Sequence, residues 1–346
     1  MNPKDRFRQL DGLRGLAAMV VMLYHYCWFY NSEFHSFYFE TNIFEYGFYG
    51  VELFFMISGF VIYYTLQRNN VQDFLVNRFI RLFPTYWLCL VLTFTIVFFS
   101  PLNEYRTASP LDALINLTML NGAFHVKYVD PSYWSLQIEL FFYFTMALIL
   151  FFDRLKNVTL LLWSWLALVF IYDQVQKLPG LGLLLNLQFG PLFVAGICFY
   201  RIKVSATRDW SDYFLLLASY GCSLLAIRYE QSFLAITVIY VVFALAIFTE
   251  RSFLTSRLFT FLGAISYALY LVHQNIGFVI LHEFQLRGYT SLYLVLVPVV
   301  AAISLSWIIT FYFERPVMEA MRKYYERTFN KNSLPQKIRQ PGDERD

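Results

Sequence analysis

The chain has 346 residues, of which 58% are hydrophobic, 21% aromatic and only 15% charged, and its mean hydropathy is +0.49. Water-soluble domains hold about a quarter of their residues as Asp, Glu, Lys and Arg, so this composition excludes an ordinary soluble enzyme and points to a membrane. The formal net charge of +3 says little in itself; where the basic residues fall says more.

The N-terminal MNPKDRFRQ is polar. No small-residue cleavage site follows the first apolar run, so that run is expected to be a retained helix. Apolar segments long enough, or nearly so, to span a bilayer recur at 10–30, 47–66, 84–100, 133–152, 158–175, 181–200, 211–227, 233–249, 258–281 and 291–313, giving ten candidate helices. The first carries Arg14 and His25 inside an apolar stretch. Ionisable groups there are costly and face a protein interior or a watery cavity. Eleven residues make three helical turns plus about 20°, so the two side chains share a face, about 16 Å apart. Residues 67–83, QRNNVQDFLVNRFIRLF, read as a short amphipathic helix on the cytoplasmic face, with Arg78 and Arg81 as neighbours on one side. Residues 101–132 form an outer loop with a helix expected at 109–121. The stretch 1–330 reads as a single transmembrane domain, and 331–346 as a disordered tail. The four cysteines, Cys27, Cys89, Cys198 and Cys222, sit in apolar segments without metal-ligand spacing, which suggests neither a disulfide framework nor a metal site.

With the N-terminus in the cytoplasm, twenty-one Lys and Arg side chains fall on that side. The opposite loops hold five: Arg106, Lys127, Lys177, Arg228 and Arg287. This positive-inside asymmetry places both termini in the cytoplasm.

At 1.5 Å per residue, His25 lies about 22 Å from the cytoplasmic start of its helix, and His273 about 22 Å from the cytoplasmic end of the ninth. Glu52 and Glu139 lie about 8 and about 9 Å below the outer face. Four titratable groups on four helices are thus expected at one level in the outer half of the membrane. Arg14, Arg78 and Arg81 would form a basic cluster at the inner mouth. Taken singly, each has a structural alternative. A membrane histidine can lock helices by hydrogen bonding, Glu139 can pair with Ser135 or Tyr143, and interfacial arginines can anchor to lipid.

Read in order, the motifs are more specific. R-x10-H (Arg14, His25) follows Leu-Asp-Gly; then come YGVELFFMISGF (49–60), RFIRLFPTYW (78–87), SYWSLQIELFFY (132–143), SYALYLVHQ (266–274) and FERP (313–316). The ordered set, covering about 7–318, resembles the acyltransferase-3 family of membrane acyltransferases, in particular its stand-alone O-antigen and exopolysaccharide acetyltransferases. Glu52 stands where that family often has Asp. The resemblance implies an enzyme of the bacterial inner membrane. It would move an acetyl group from cytoplasmic acetyl-CoA, a co-substrate used without a metal, to a hydroxyl of a cell-surface polysaccharide or lipid-linked glycan such as O-antigen lipopolysaccharide. Besides the bilayer and these substrates no partner is implied, and no nucleic acid. Arg14, Arg78 and Arg81 would bind the coenzyme's phosphates. His25 would be general base or transient acyl carrier, with Glu139 or Glu52 orienting it. His273, Ser135 and Tyr270 would bind the acceptor or support the core. For Glu314 a helix stop and latch competes with a role near the coenzyme. The rival class is a polytopic transporter or flippase, whose charged residues would line a substrate path.

Overall fold

Inside a bilayer no water satisfies the backbone, so each segment must pair its own N–H and C=O groups, as a helix does. The computed structural model describes residues 8–35, 42–175, 179–204, 209–227, 232–249, 253–289 and 291–329, and among these the regular structure is all-α. Helix α1 (Arg8–Tyr24) is extended by a π-helical turn (His25–Phe29) and one further turn (Tyr30–Phe34). A 3-10 segment (Asn42–Tyr49) leads into α2 (Gly50–Leu66), followed by α3 (Val71–Phe98), α4 (Trp134–Phe151) and α5 (Val158–Val175). Then come α6 (Gly190–Val204), α7 (Trp210–Ala226), α8 (Ser232–Phe248) and α9 (Arg257–Leu286). Helix α10 (Leu296–Ile308) passes through a second π segment (Ile309–Glu314) into α11 (Arg315–Phe329).

Among the described residues six helical stretches are long and apolar enough to cross a membrane: Asn42–Leu66, Val71–Phe98, Pro131–Phe151, Leu155–Tyr172, Arg257–Leu286 and Leu292–Phe329. Ser232–Phe248 is a shorter apolar helix. The outside exposes large apolar side chains such as Phe144, Leu160, Leu217, Val241 and Val300, as a surface bathed in lipid tails does. The chain is a polytopic, all-α membrane protein.

Of the six stretches those holding α2 and α9 are the most enclosed, with 72% of the apolar window of each buried against 28% for Leu155–Tyr172, and α6 is buried from Gly190 to Tyr200, so these helices form the centre and α5 the rim. Helix α1 lies along α9, and α2 along α6. Both contacts run over glycine. A Cβ at Gly15 would come within 2.5 Å of the Gly263 amide nitrogen, and one at Gly59 would run into the Phe193 carbonyl. Small residues allow this approach where lipid supplies no hydrophobic drive between helices.

Three expectations change. Residues 71–83 do not form a separate surface helix; they are the first half of α3, which continues through Pro84. The outer-loop helix is shorter than 109–121. It runs Pro110–Asn116, started by a capping box in which Ser109 and Asp112 bond reciprocally, and this satisfies the free amides of its first turn. The segment 181–200 is not one helix. A short helix (Pro179–Leu184) gives way to a turn in which Asn186 takes φ +50°, and α6 starts only at Gly190. Side chains tie this turn to its neighbours, and one of its freed carbonyls, that of Leu185, gains a partner. Asn186 Nδ2 donates to the Ile138 carbonyl at 2.9 Å, and Trp165 Nε1 to the Leu185 carbonyl at 2.8 Å. The tail 331–346 lies outside the described residues.

Candidate active site

A cavity of about 270 Å³ opens between α1, α2, α3, α4, α9 and α11. Arg14 enters it from α1, Arg78 and Arg81 from successive turns of α3, and Arg322 from α11; Ser58, Glu139 and Tyr143 complete its polar lining. Arg14 reaches Asp11 at 3.3 Å with a quarter of its side chain exposed. Arg81 pairs with Glu314 and lies 5.1 Å over the Tyr267 ring. The second π segment ends at Glu314, so the Phe-Glu-Arg-Pro stretch delivers this carboxylate to α3. Arg78 lies 5.8 Å over the Tyr143 ring, and its Nε is buried with no hydrogen-bond partner. Neither Arg78 nor Arg322 has a carboxylate partner among the described residues. Glu139 accepts hydrogen bonds from the Ser58 hydroxyl and, at 2.5 Å, from the Tyr143 hydroxyl.

Along α9, Ser266, Tyr267 and Tyr270 line this cavity; one turn further stands His273. Its ring lies 4.9 Å from that of His25, and His273 Nε2 is 3.1 Å from His25 Nδ1. The rest of the pair's hydrogen bonding fixes its tautomers. His273 Nδ1 faces the Tyr270 carbonyl at 2.8 Å, and His25 Nδ1 faces the Val21 carbonyl at 2.9 Å. A carbonyl only accepts, so in the neutral pair both Nδ1 atoms carry hydrogen. His273 Nε2 then shares the His25 Nδ1–H as acceptor, and His25 Nε2 is left with its lone pair and no partner among the described residues. Tyr26 donates to the His273 carbonyl at 2.5 Å. Gly277 makes room for it, because a Cβ there would run into the Tyr26 ring. The π turn begins at His25, where the Tyr30 amide closes on the His25 carbonyl. Such wide turns recur at functional sites because they break the regular helical register.

The structure thus brings Arg14, Arg78 and Arg81 into one cavity, and His25 and His273 into one pair. Glu139 joins the arginines rather than the histidines. His25 bonds Val21 and His273, so neither Glu139 nor Glu52 orients it. Glu52 is 2% exposed, with Oε2 buried and unpartnered, and it does not line the arginine cavity. Ser135 and Tyr270 bond each other at 2.7 Å on the cavity wall. Four residues escaped the sequence reading. Ser58 is Glu139's donor, and Arg322 lies beyond the last motif. Asp130 accepts from the Ser132 and Asn275 amides at 3.0 and 2.9 Å, and Arg106 pairs with Glu33. Only Asp130 carried a local signal, as the helix-capping residue of Asp-Pro-Ser.

Comparison with known proteins places the chain among membrane acyltransferases. O-acetyltransferase OatA of Staphylococcus aureus is 30% identical over 163 residues, 41% of this chain and 24% of that protein. Peptidoglycan O-acetyltransferase OatA of Listeria monocytogenes is 31% identical over 211 residues, covering 54% and 29%. The putative membrane-bound transacylase BcsY of Komagataeibacter xylinus is 30% identical over 175 residues, covering 46% and 42%. The matched stretches span less than half the length of each of these relatives. No solved structure matches. The acyltransferase-3 family model, described as an acyltransferase domain, matches residues 7–313, and the chain belongs to that family of membrane acyltransferase domains.

Proposed function

We propose that the protein transfers an acetyl group from cytoplasmic acetyl-CoA to a hydroxyl of a glycan on the far side of the bacterial inner membrane, with both termini in the cytoplasm. O-antigen lipopolysaccharide and peptidoglycan, the latter named for one relative, are the first acceptors to offer. The observation that carries the reading is the sequence along α1: an arginine-lined cavity at Arg14, then a histidine pair with one free basic nitrogen. Guanidinium groups bind phosphate bidentately, which suits the nucleotide end of the coenzyme at Arg14, Arg78, Arg81 and Arg322. The pantetheine arm would run past Ser135 and Tyr270 toward the histidines.

There His25 Nε2 takes the proton of the acceptor hydroxyl as its oxygen attacks the thioester carbonyl. The resulting imidazolium returns the proton to the departing coenzyme thiolate. His273 Nε2, accepting the His25 Nδ1–H, holds the ring in the tautomer that leaves Nε2 free to take the proton, the orienting role a carboxylate plays in a triad. An alternative route acetylates His25 first and passes the group to the acceptor second. Family membership favours transfer over transport, the class it displaces.

Purified protein incubated with radiolabelled acetyl-CoA tests both. Label retained without acceptor and lost in His25→Ala supports the acyl-histidine. Label transferred only when glycan is added, still dependent on His25, supports the general base. Acetyl-CoA left unbound and unconsumed with every acceptor offered would remove the donor and sink the reading.

A further inference from the structure

At the opposite end of α1 a second cavity, of about 320 Å³, is lined by Glu33, Tyr105, Arg106, Lys127, Tyr128 and Pro131. Glu33 follows Arg14 by nineteen residues, roughly 28 Å of helix, so the two cavities are well separated. The second is built around an unusual cation. Arg106 closes a four-residue helix (Asn103–Arg106) and is only 7% exposed. Its guanidinium pairs with Glu33 and reaches Asn275 Oδ1 at 3.4 Å. It lies 4.9 Å over the Phe278 ring and 5.8 Å over that of Phe29, while its Nε is buried without a partner. A desolvated cation is costly to keep, and here it holds the outer loop to the ends of α1 and α9. Asn275 also grips that loop, donating to the Val129 carbonyl at 2.8 Å.

The rings beneath Arg106 are the rings beside the histidines. Phe29 and Phe278 stack at 6.2 Å, and their centroids lie 5.7 and 6.4 Å from that of His25. One layer of aromatic side chains therefore separates this cavity from the nitrogen that would accept the acceptor's proton.

We infer that this cavity binds a pyranose ring of the acceptor glycan flanking the one that reacts, one aromatic layer from His25; the inference rests on the function proposed above. Its chemistry suits a sugar. Tyr105, 58% exposed, and Tyr128 offer ring faces to the C–H side of a pyranose. Glu33 keeps one oxygen beyond the Arg106 pair, Lys127 Nζ has donors left after the Thr107 carbonyl at 3.0 Å, and the Tyr128 oxygen, whose proton goes to Gln137 Oε1 at 3.0 Å, can still accept from the sugar hydroxyls. It suits a phosphate poorly, because the guanidinium is engaged by Glu33 and Asn275 and the carboxylate at the rim repels anions.

The test uses the full chain in detergent, with N-acetylchitotetraose, cellotetraose and mannotetraose as probes in saturation-transfer NMR. Wild type is compared with Tyr105→Ala and Lys127→Ala, both exposed positions whose loss leaves the fold intact. Acetyl-CoA binding is measured on the same samples. Support is binding of at least one probe by wild type, weakened about tenfold, the equivalent of about 1.4 kcal/mol, in Tyr105→Ala, with acetyl-CoA binding unchanged. Equal binding by wild type and both variants overturns the site. So does binding of no probe while acetyl-CoA still binds. Loss of acetyl-CoA binding in wild type itself instead overturns the functional reading on which the site rests.

Discussion

The two ends of α1 use arginine in opposite ways. At the Arg14 end four guanidinium groups line an open cavity, and two of them, Arg78 and Arg322, have no carboxylate partner among the described residues. At the Glu33 end a single buried guanidinium is neutralised by Glu33 and capped by two aromatic rings. Unspent cations in a partly open site attract a polyanion. A neutralised, ring-stacked cation has little charge left to offer and serves as architecture. The difference shows that the groups packed around an arginine, rather than residue type, decide whether it is available to a ligand. Between the ends, the histidine pair belongs to neither cavity and borders both, through Tyr270 on one side and Phe29 on the other.

Removing that pair should break the comparison most completely. His25→Ala is expected to lower kcat by about 10²–10⁴, the usual weight of a positioned proton acceptor, while acetyl-CoA binding measured by calorimetry stays intact. Binding lost along with turnover would mean that His25 holds the donor rather than moving its proton. Next in size is the ion pair of the open end. Arg81→Ala leaves Glu314, 3% exposed, without its partner. Because Arg81 is itself 28% exposed, the cost falls below that of a fully buried pair, to about 2 kcal/mol. The thermal midpoint should drop by several degrees. Arg81→Ala/Glu314→Gln should recover most of that stability without recovering affinity for acetyl-CoA. Recovery of both would reduce Arg81 to a latch.

How much of this was legible depended on the kind of information each residue carries. Arg14, Arg78 and Arg81 could be gathered because a charge in an apolar span needs a common watery refuge, and His273 could be matched to His25 by depth. Depth is only one coordinate. Glu139 does bond Tyr143, the same-helix pairing that its spacing allows, yet the rotation of α4 turns it toward Ser58 and the Arg14 cavity, which hydropathy alone does not fix. The π turns at His25–Phe29 and Ile309–Glu314 had no cue either, since an apolar run reads alike with four or five residues per closed ring. The break before Gly190 has one cue, Asn186, a residue type that tolerates positive φ, set in a stretch whose apolar residues otherwise read as one span. Arg106 and Asp130 sit in the outer loop, where no period relates a residue to the helices it touches.

Two smaller effects sharpen the comparison. Gly277→Ala adds a methyl that collides with the Tyr26 ring, at a cost of about 1–3 kcal/mol, and it displaces the donor to the His273 carbonyl. Turnover should fall while the KM for acetyl-CoA holds, because no atom of the arginine cavity moves. A change confined to KM would place Tyr26 on the donor's path instead. Smallest is Arg322→Ala. The side chain is exposed, lies past the last residue of the family match, and reaches the cavity from an amphipathic helix that Tyr325 ties to Asp73 at 2.9 Å. One exposed guanidinium on a phosphate is worth about 1 kcal/mol. The KM for acetyl-CoA should therefore rise about fivefold, with no rise for S-acetylpantetheine, which lacks the nucleotide and its phosphates. An equal rise for both donors would show that Arg322 shapes the mouth of the cavity by packing. A rise for acetyl-CoA alone would mean that its charge reads the coenzyme.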